Sequence, residues 1–218
     1  MTPNEVITEV RQIIQDTQSP YRYADSMLLG FINQTIKRMV MLRPDLFITV
    51  ADIAITANVV EQILPSTAVR LVDIFRIKNG IAIEEVDRDA FNRAYPQWAT
   101  DPAGVPTKYM RHARNPRAYF LYPRPVAGTV LVGEYVVTPP NYTISDQIAV
   151  LPDAYFTALV DGTVYLAESI DNEHVNSNRA KMYQDSFIQT LGASLQSRTI
   201  TDMETSGISP QQGAPRET

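Results

Sequence analysis

Residues 151–196 read LPDAYFTALVDGTVYLAESIDNEHVNSNRAKMYQDSFIQTLGASLQ, and their spacing decides the fold class. Pro152 and Asp153 form a helix-start signal. Proline is pre-set for the first turn, and a carboxylate there complements the positive end of the helix dipole. Tyr155, Leu159, Thr163, Leu166 and Ile170 then recur at steps of three and four, the spacing of one buried helical face. After a break at Asp171-Asn172, Val175, Arg179, Met182, Phe187 and Leu191 trace the face of a second helix. The stretch predicts a helical hairpin. Gly162 lies inside its first helix, where glycine costs about 1 kcal/mol relative to alanine and so marks a close helix crossing.

A second hairpin is predicted at the start of the chain. Thr2-Pro3-Asn4-Glu5 is a capping box with proline at the first helical position. Val6, Val10, Ile13 and Ile14 supply an apolar stripe for a short helix that ends before Ser19-Pro20. In the next helix Asp25 stands near the positive end of the dipole, and Leu28, Ile32, Ile36 and Val40 share one face widened by Phe31 and Met39. Arg43-Pro44 ends it, because the residue before proline is pushed out of the helical region.

Between the hairpins the pattern turns to strands. Residues 47–55 and 69–78 alternate, with Val69, Leu71, Asp73, Phe75 and Ile77 on one side of the latter, and residues 59–64 supply another strand before Pro65. Asn79-Gly80 signals a hairpin with a return strand over 81–86. Asp87 caps a short helix that ends at Pro96, and residues 97–106 read as a loop. Further strands are expected at 108–113, 118–122 and 129–138, and Pro139-Pro140 closes the region.

The expected fold is therefore α+β. The N- and C-terminal helical hairpins (1–45 and 151–196) form one bundle, a β-rich lobe (46–150) is inserted between them, and a flexible, extended C-terminal arm follows (197–218). No internal repeat is evident.

Composition narrows the function. The chain has 218 residues, 44% hydrophobic and 20% charged, which suits a globular core rather than a disordered segment. It has no cysteine, hence no disulfide framework and no thiolate nucleophile or metal ligand. No apolar run approaches the ~18 residues that span a bilayer, and the amino terminus lacks the features of a signal peptide. A net charge of −5 argues against a whole-protein electrostatic grip on nucleic acid, though not against a local basic patch.

Catalytic constellations are not apparent, and no cofactor motif is present. His112 and His174 stand in unrelated neighbourhoods without metal-ligand spacing. Asp171, Glu173 and His174 form an acidic loop, and Asp87-Arg88-Asp89 a similar group; both read as caps and dipole partners rather than cation sites. No catalytic, cofactor-binding or metal-binding residue is assigned.

Residues 106–125 (PTKYMRHARNPRAYFLYPRP) are the conspicuous charge feature. Lys108, Arg111, Arg114, Arg117 and Arg124 occur with no acid among them, interleaved with Tyr109, Tyr119, Phe120 and Tyr122. Such a segment suits a single-strand or phosphate-tracking surface. It also suits strands whose outward arginines meet acids on a neighbouring subunit or domain, and arginine and tyrosine are enriched at protein interfaces. In an acidic chain the second reading is favoured. Lys108, Tyr109, Arg111, Arg114, Arg117, Tyr122 and Arg124 are thus candidate interface residues, with a nucleic-acid-binding module as the alternative. The arm, with Ser197, Ile200, Met203 and Ile208, is a candidate to order on a neighbour.

With these pieces in place, the sequence resembles the head-to-tail connector (adaptor) proteins of tailed bacteriophages, especially short-tailed ones. The likeness is carried by four groups of residues. The first is Tyr23-Ala24-Asp25 with Leu28-Leu29, Ile32-Asn33 and Leu42-Arg43-Pro44-Asp45. The second is Leu64-Pro65 ahead of Val69-Arg70-Leu71-Val72-Asp73-Ile74, and the third is Pro106 and Tyr109 with Phe120-Leu121-Tyr122-Pro123-Arg124-Pro125. The fourth is Leu151-Pro152-Asp153, Tyr155 and Ala158-Leu159-Val160-Asp161, followed by Arg179-Ala180 and Phe187. Gly162 departs from the pattern, since many relatives carry a bulkier residue there.

The resemblance implies a structural virion protein made in the host bacterial cytoplasm. It implies a homo-oligomeric ring, usually of twelve copies, between the portal protein at the capsid vertex and the tail nozzle or tube. DNA would pass through the lumen without sequence-specific binding, and the arm would dock on the portal. A stopper or other tail-tube ring remains an alternative. Neither catalysis nor a membrane enters this picture.

Overall fold

The computed structural model describes residues 1–170 and 177–205. It is a mixed α+β protein, with five α-helices and two β-sheets among the described residues. Two compact units divide the chain: residues 1–35 with 142–218, and residues 36–141.

The first unit is helical. Helix α1 (Pro3–Ile13) begins with the expected capping box: Thr2 accepts from the Glu5 amide and Glu5 accepts from the Thr2 amide. Its core face is Val6, Ile7, Val10 and Ile14. The turn into α2 (Asp25–Leu42) is held by Arg11. One arm of its guanidinium donates to Asp16 at 2.6 Å, and the other donates to the Tyr23 carbonyl and to Asp25. Asp16 in turn accepts from the amides of Arg22 and Tyr23. The buried charges Arg11 and Asp16 therefore satisfy each other and the turn backbone, as burial requires. Along α2 the expected face is observed: Leu28, Ile32, Ile36, Met39 and Val40 are all buried, with Phe31 half-buried at its margin.

Helix α4 (Phe156–Glu168) follows a 3-10 turn at Asp153–Tyr155. Sequence periodicity gives it one apolar face, but the structure buries nearly its whole circumference. Ala158 through Val164, then Ala167 and Glu168, are buried, while Leu166 and Ile170 are only half-buried. Small side chains account for this, because they let neighbours approach from several sides. A Cβ placed on Gly162 would lie 2.4 Å from Thr35 Cγ2 and 3.1 Å from the Phe187 ring. Gly162 thus marks a three-helix crossing. Helix α5 (Ser177–Thr205) packs on α4 through Ala180, Phe187 and Leu191. Met182, expected on that face, is 57% exposed instead: the step from Ala180 to Phe187 is seven residues, two full turns, and leaves Met182 outside. Val175 lies outside the described residues.

The arm expected from Ser197 is also revised at its start, since α5 continues to Thr205. No glycine or proline interrupts residues 197–205, and the first helix-stop signals are Gly207 and Pro210. The remainder of the arm, from 206, lies outside the described residues.

The second unit holds the sheets. Strands β1 (Ile48–Ala54), β7 (Val130–Val137) and β3 (Ala68–Ile77) form an antiparallel sheet in the order β1-β7-β3. Strands β2 (Glu61–Ile63), β6 (Ala118–Tyr122), β5 (Lys108–Arg111) and β4 (Glu84–Glu85) form the second in the order β2-β6-β5-β4. Ile53, Leu71, Ile74, Leu131 and Tyr135 of the first sheet share one core with Tyr109, Tyr119 and Leu121 of the second. The sheets therefore pack face to face.

Two strand readings change. The side chains of β3 do not alternate; Ala68, Leu71 and Ile74 are buried, and Phe75 is 38% exposed. Register shifts between Ala68/Arg70, Leu71/Asp73 and Ile74/Arg76 leave Val69, Val72 and Phe75 without partners on β7. Each bulge resets the phase by one residue, converting a period of two into one of three. The return strand after Asn79-Gly80 is also curtailed. Asn79 takes the positive φ of a tight turn (58°), but only the Arg76–Ala82 bridge joins the two arms, and β4 pairs in parallel with β5. Short helix α3 (Arg88–Ala94) is capped by Asp87 as expected, and the 97–106 loop contains a 3-10 turn that buries Trp98.

Candidate interaction sites

The basic-aromatic segment folds into β5, β6 and the turn between them, and most of its charge is consumed within the lobe. Lys108 pairs with Glu84 on the neighbouring β4. Arg111 pairs with Glu85 at 2.6 Å, and its other donors reach the carbonyls of Leu71 and Val72, where β3 is bulged. Glu85 is held below the usual carboxylate range chiefly by this Arg111 hydrogen bond. Arg117 donates to the carbonyls of Leu64 and Pro65, and Arg124 to those of Thr100 and Asp101. Arg114 is exposed and has no polar side-chain partner among the described residues.

The aromatic residues are equally committed. Tyr109 and Tyr119 are fully buried. The Tyr109 hydroxyl lies 2.6 Å from Asp73 and 2.8 Å from Glu85, so its side chain ties β5 to both β3 and β4. Burial, with these two carboxylates, pushes its pKa far up. Tyr122 donates to Asp101, as does Tyr95, and the Asp101 hydrogen bond pushes Tyr122 up to about 12. Around them Phe91, Tyr95, Trp98, Phe120 and Tyr122 form edge-to-face contacts with centroids 5.1–6.4 Å apart. Phe120 also stacks on His112.

Sequence reasoning grouped these residues correctly by location but missed their partners. Glu84, Glu85 and Asp101 are the acids that neutralise or order the segment, and all come from the same chain. The signal available was the adjacent Glu84-Glu85 pair at the end of a predicted strand. A stripe of free cations and open aromatic faces, as a single-strand track needs, is not what these side chains present.

Of the arm candidates, Ser197, Ile200 and Met203 fall in the distal part of α5, and Ile208 lies outside the described residues. Asp171, Glu173 and His174 also lie outside them. Asp87 acts as the α3 cap, accepting from the Ala90 amide. Among the described residues, no group of three or more His, Asp or Glu side chains is placed to hold a metal ion, and no helix is long and apolar enough to cross a membrane.

No curated protein matches the chain. The family model described as SU10 adaptor protein matches residues 1–211, which takes in the helices of both chain ends and the whole β lobe. With a match of that extent the chain belongs to the SU10 adaptor protein family, a phage head-tail adaptor family of structural virion proteins.

Proposed function

We propose that this protein is the adaptor ring subunit that joins the portal at the capsid vertex to the tail nozzle or tube and forms part of the DNA channel. The observation that carries this reading is the family match across 1–211. Helices α1, α4 and α5 and the first part of α2, together in one compact unit, are the body of the ring, and the β lobe is its insertion. Twelve copies match the usual ring of the family that the sequence resembles. Subunit and tail contacts use the outer surface of residues 106–125, with Arg114 the most available cation. Portal docking uses the distal end of α5 and the residues after it, with Ser197, Ile200, Met203 and Ile208 as contacts. The surplus of acids, giving a net charge of −5, favours a lumen along which DNA slides rather than sticks.

The test is direct. Purified protein is mixed with portal rings of its phage, sedimented and imaged. A new ring of density on the portal is expected, and it should then recruit the nozzle protein. Failure to co-sediment with either partner would refute the assignment.

A further inference from the structure

The second unit contains a cleft of about 410 Å³ lined by Arg70, Leu71 and Val72 of β3, Arg111 of β5, and His112, Pro116 and Ala118 of the turn and β6. Its lining includes no acid. The carbonyls of Leu71 and Val72 are already occupied by Arg111. His112 Nδ1 accepts from the amides of Arg114 and Asn115, so the neutral ring carries its proton on Nε2 and is a donor there. The Arg70 side chain is exposed, and its guanidinium has no hydrogen-bond or ion-pair partner among the described residues. The cleft therefore offers unspent donors beside two carbonyls that are already taken, in a chain whose net charge is −5.

We propose that this cleft is a docking site for an acidic side chain of a partner polypeptide, with Arg70 gripping the carboxylate and His112 Nε2 donating the second hydrogen bond. A planar guanidinium matches a carboxylate in two-point geometry, which makes Arg70 the anchor. A nucleic-acid strand is a poorer fit. Tracking phosphates takes a row of cations and open aromatic rings, whereas Lys108, Arg111, Arg117 and Arg124 are paired nearby and Tyr109 and Tyr119 are buried. What remains is a point, not a track. Choosing a protein as the source of the carboxylate rests on the adaptor reading; the preference for an anion does not.

The experiment uses the full chain, fluorescein-labelled poly-L-glutamate as the probe, and anisotropy at low ionic strength, where exposed charge pairs are least screened. The wild type is expected to bind, Arg70→Gln to bind about five-fold or more weakly, and Arg70→Lys to recover part of the loss. Arg93→Gln, on α3 outside the cleft, removes the same charge and should change little. Thermal unfolding of each variant confirms that it is folded, and Arg70→Lys keeps the test valid if Arg70→Gln is not. A thymidine oligonucleotide of equal charge should fail to displace the probe. Absence of probe binding overturns the proposal, as does equal weakening by Arg70→Gln and Arg93→Gln. Displacement by the oligonucleotide also overturns it and assigns the cleft to phosphate. None of these outcomes bears on whether the protein adds a ring to the portal, so the two readings fail separately.

Discussion

Gly162 and Asp161 are adjacent on α4 and face opposite physical problems. At Gly162 the problem is space. Alanine would gain about 1 kcal/mol of helix propensity, but its Cβ would sit 2.4 Å from Thr35 Cγ2. Overpacking of this kind costs about 1–3 kcal/mol, so Gly162→Ala should destabilise the protein by about 1 kcal/mol net. Thr35→Ala removes the clashing methyl and a buried hydroxyl that has no partner. The double variant should therefore recover stability relative to Gly162→Ala alone, and a double-mutant cycle on urea midpoints reads the coupling. Purely additive changes would show that the helices separate instead.

At Asp161 the problem is charge. Its carboxyl is buried, and burial raises its pKa above the ordinary 3.8, while the hydrogen bond from Ser186 Oγ at 2.7 Å pulls the other way. A carboxyl raised in the folded state holds its proton more tightly there than in the unfolded chain. Its favourable contribution is complete below the ordinary carboxylate value and is lost as pH rises through the folded value. Asp161→Asn keeps an acceptor for Ser186 and removes the titration. Its stability relative to the wild type should therefore climb as pH rises from the ordinary carboxylate value through the raised folded value, and then level off. A difference in urea midpoint that is flat across that range would contradict this account of Asp161.

At the scale of elements, β3 governs the lobe. Three bulges in one strand change which residues face the core, and they also bring the Leu71 and Val72 carbonyls within reach of Arg111. Gly133 is part of the same device, because a Cβ there would lie 2.5 Å from the Asp73 carbonyl. Tyr109 then links β5 to Asp73 and Glu85 with one phenolic proton, donating to one carboxylate at a time. Tyr109→Phe leaves the ring packed but removes a hydrogen bond to a charged group, which should cost about 1.5–3 kcal/mol. Glu85→Gln alone should cost less, since the Glu85–Arg111 pair is nearly half exposed and solvent screens it. Thermal unfolding of the two variants checks the order, and a larger loss in Glu85→Gln would reverse the roles assigned to them.

These elements also mark what the sequence made legible. Local signals were read well: the Thr2–Glu5 capping box, the α2 face, the Asp87 cap and the exact span of β6 depend on neighbours in the chain. The features misread depend on distant residues. Alternation in β3 is broken by how it pairs with β7, and Met182 leaves the core because α5 meets α4 on another line. For the basic segment, residue types gave its place in the lobe. Only the packing of β4 and of the loop at Asp101 revealed that its charges are answered within the chain.

For the whole molecule, the remaining question is which part reaches outward. The described core contacts of α5 are Ala180, Phe187 and Leu191, all before Gln196. Beyond them the helix continues to Thr205. A segment as short as residues 197–205 has little helical stability of its own, since isolated helical segments shorter than about 12–15 residues are marginal in water. A partner surface is one way to stabilise it. Ending the chain at Gln196 should therefore leave thermal unfolding within a few degrees of the full-length protein, while co-sedimentation with portal rings is lost. A chain ending at Thr205 separates the two halves of the segment: if the helix makes the contact, docking survives, and if residues 206–218 make it, docking fails as in the shorter form. Undiminished docking by the chain that ends at Gln196 would remove the segment from the portal interface and move that contact to the other helices.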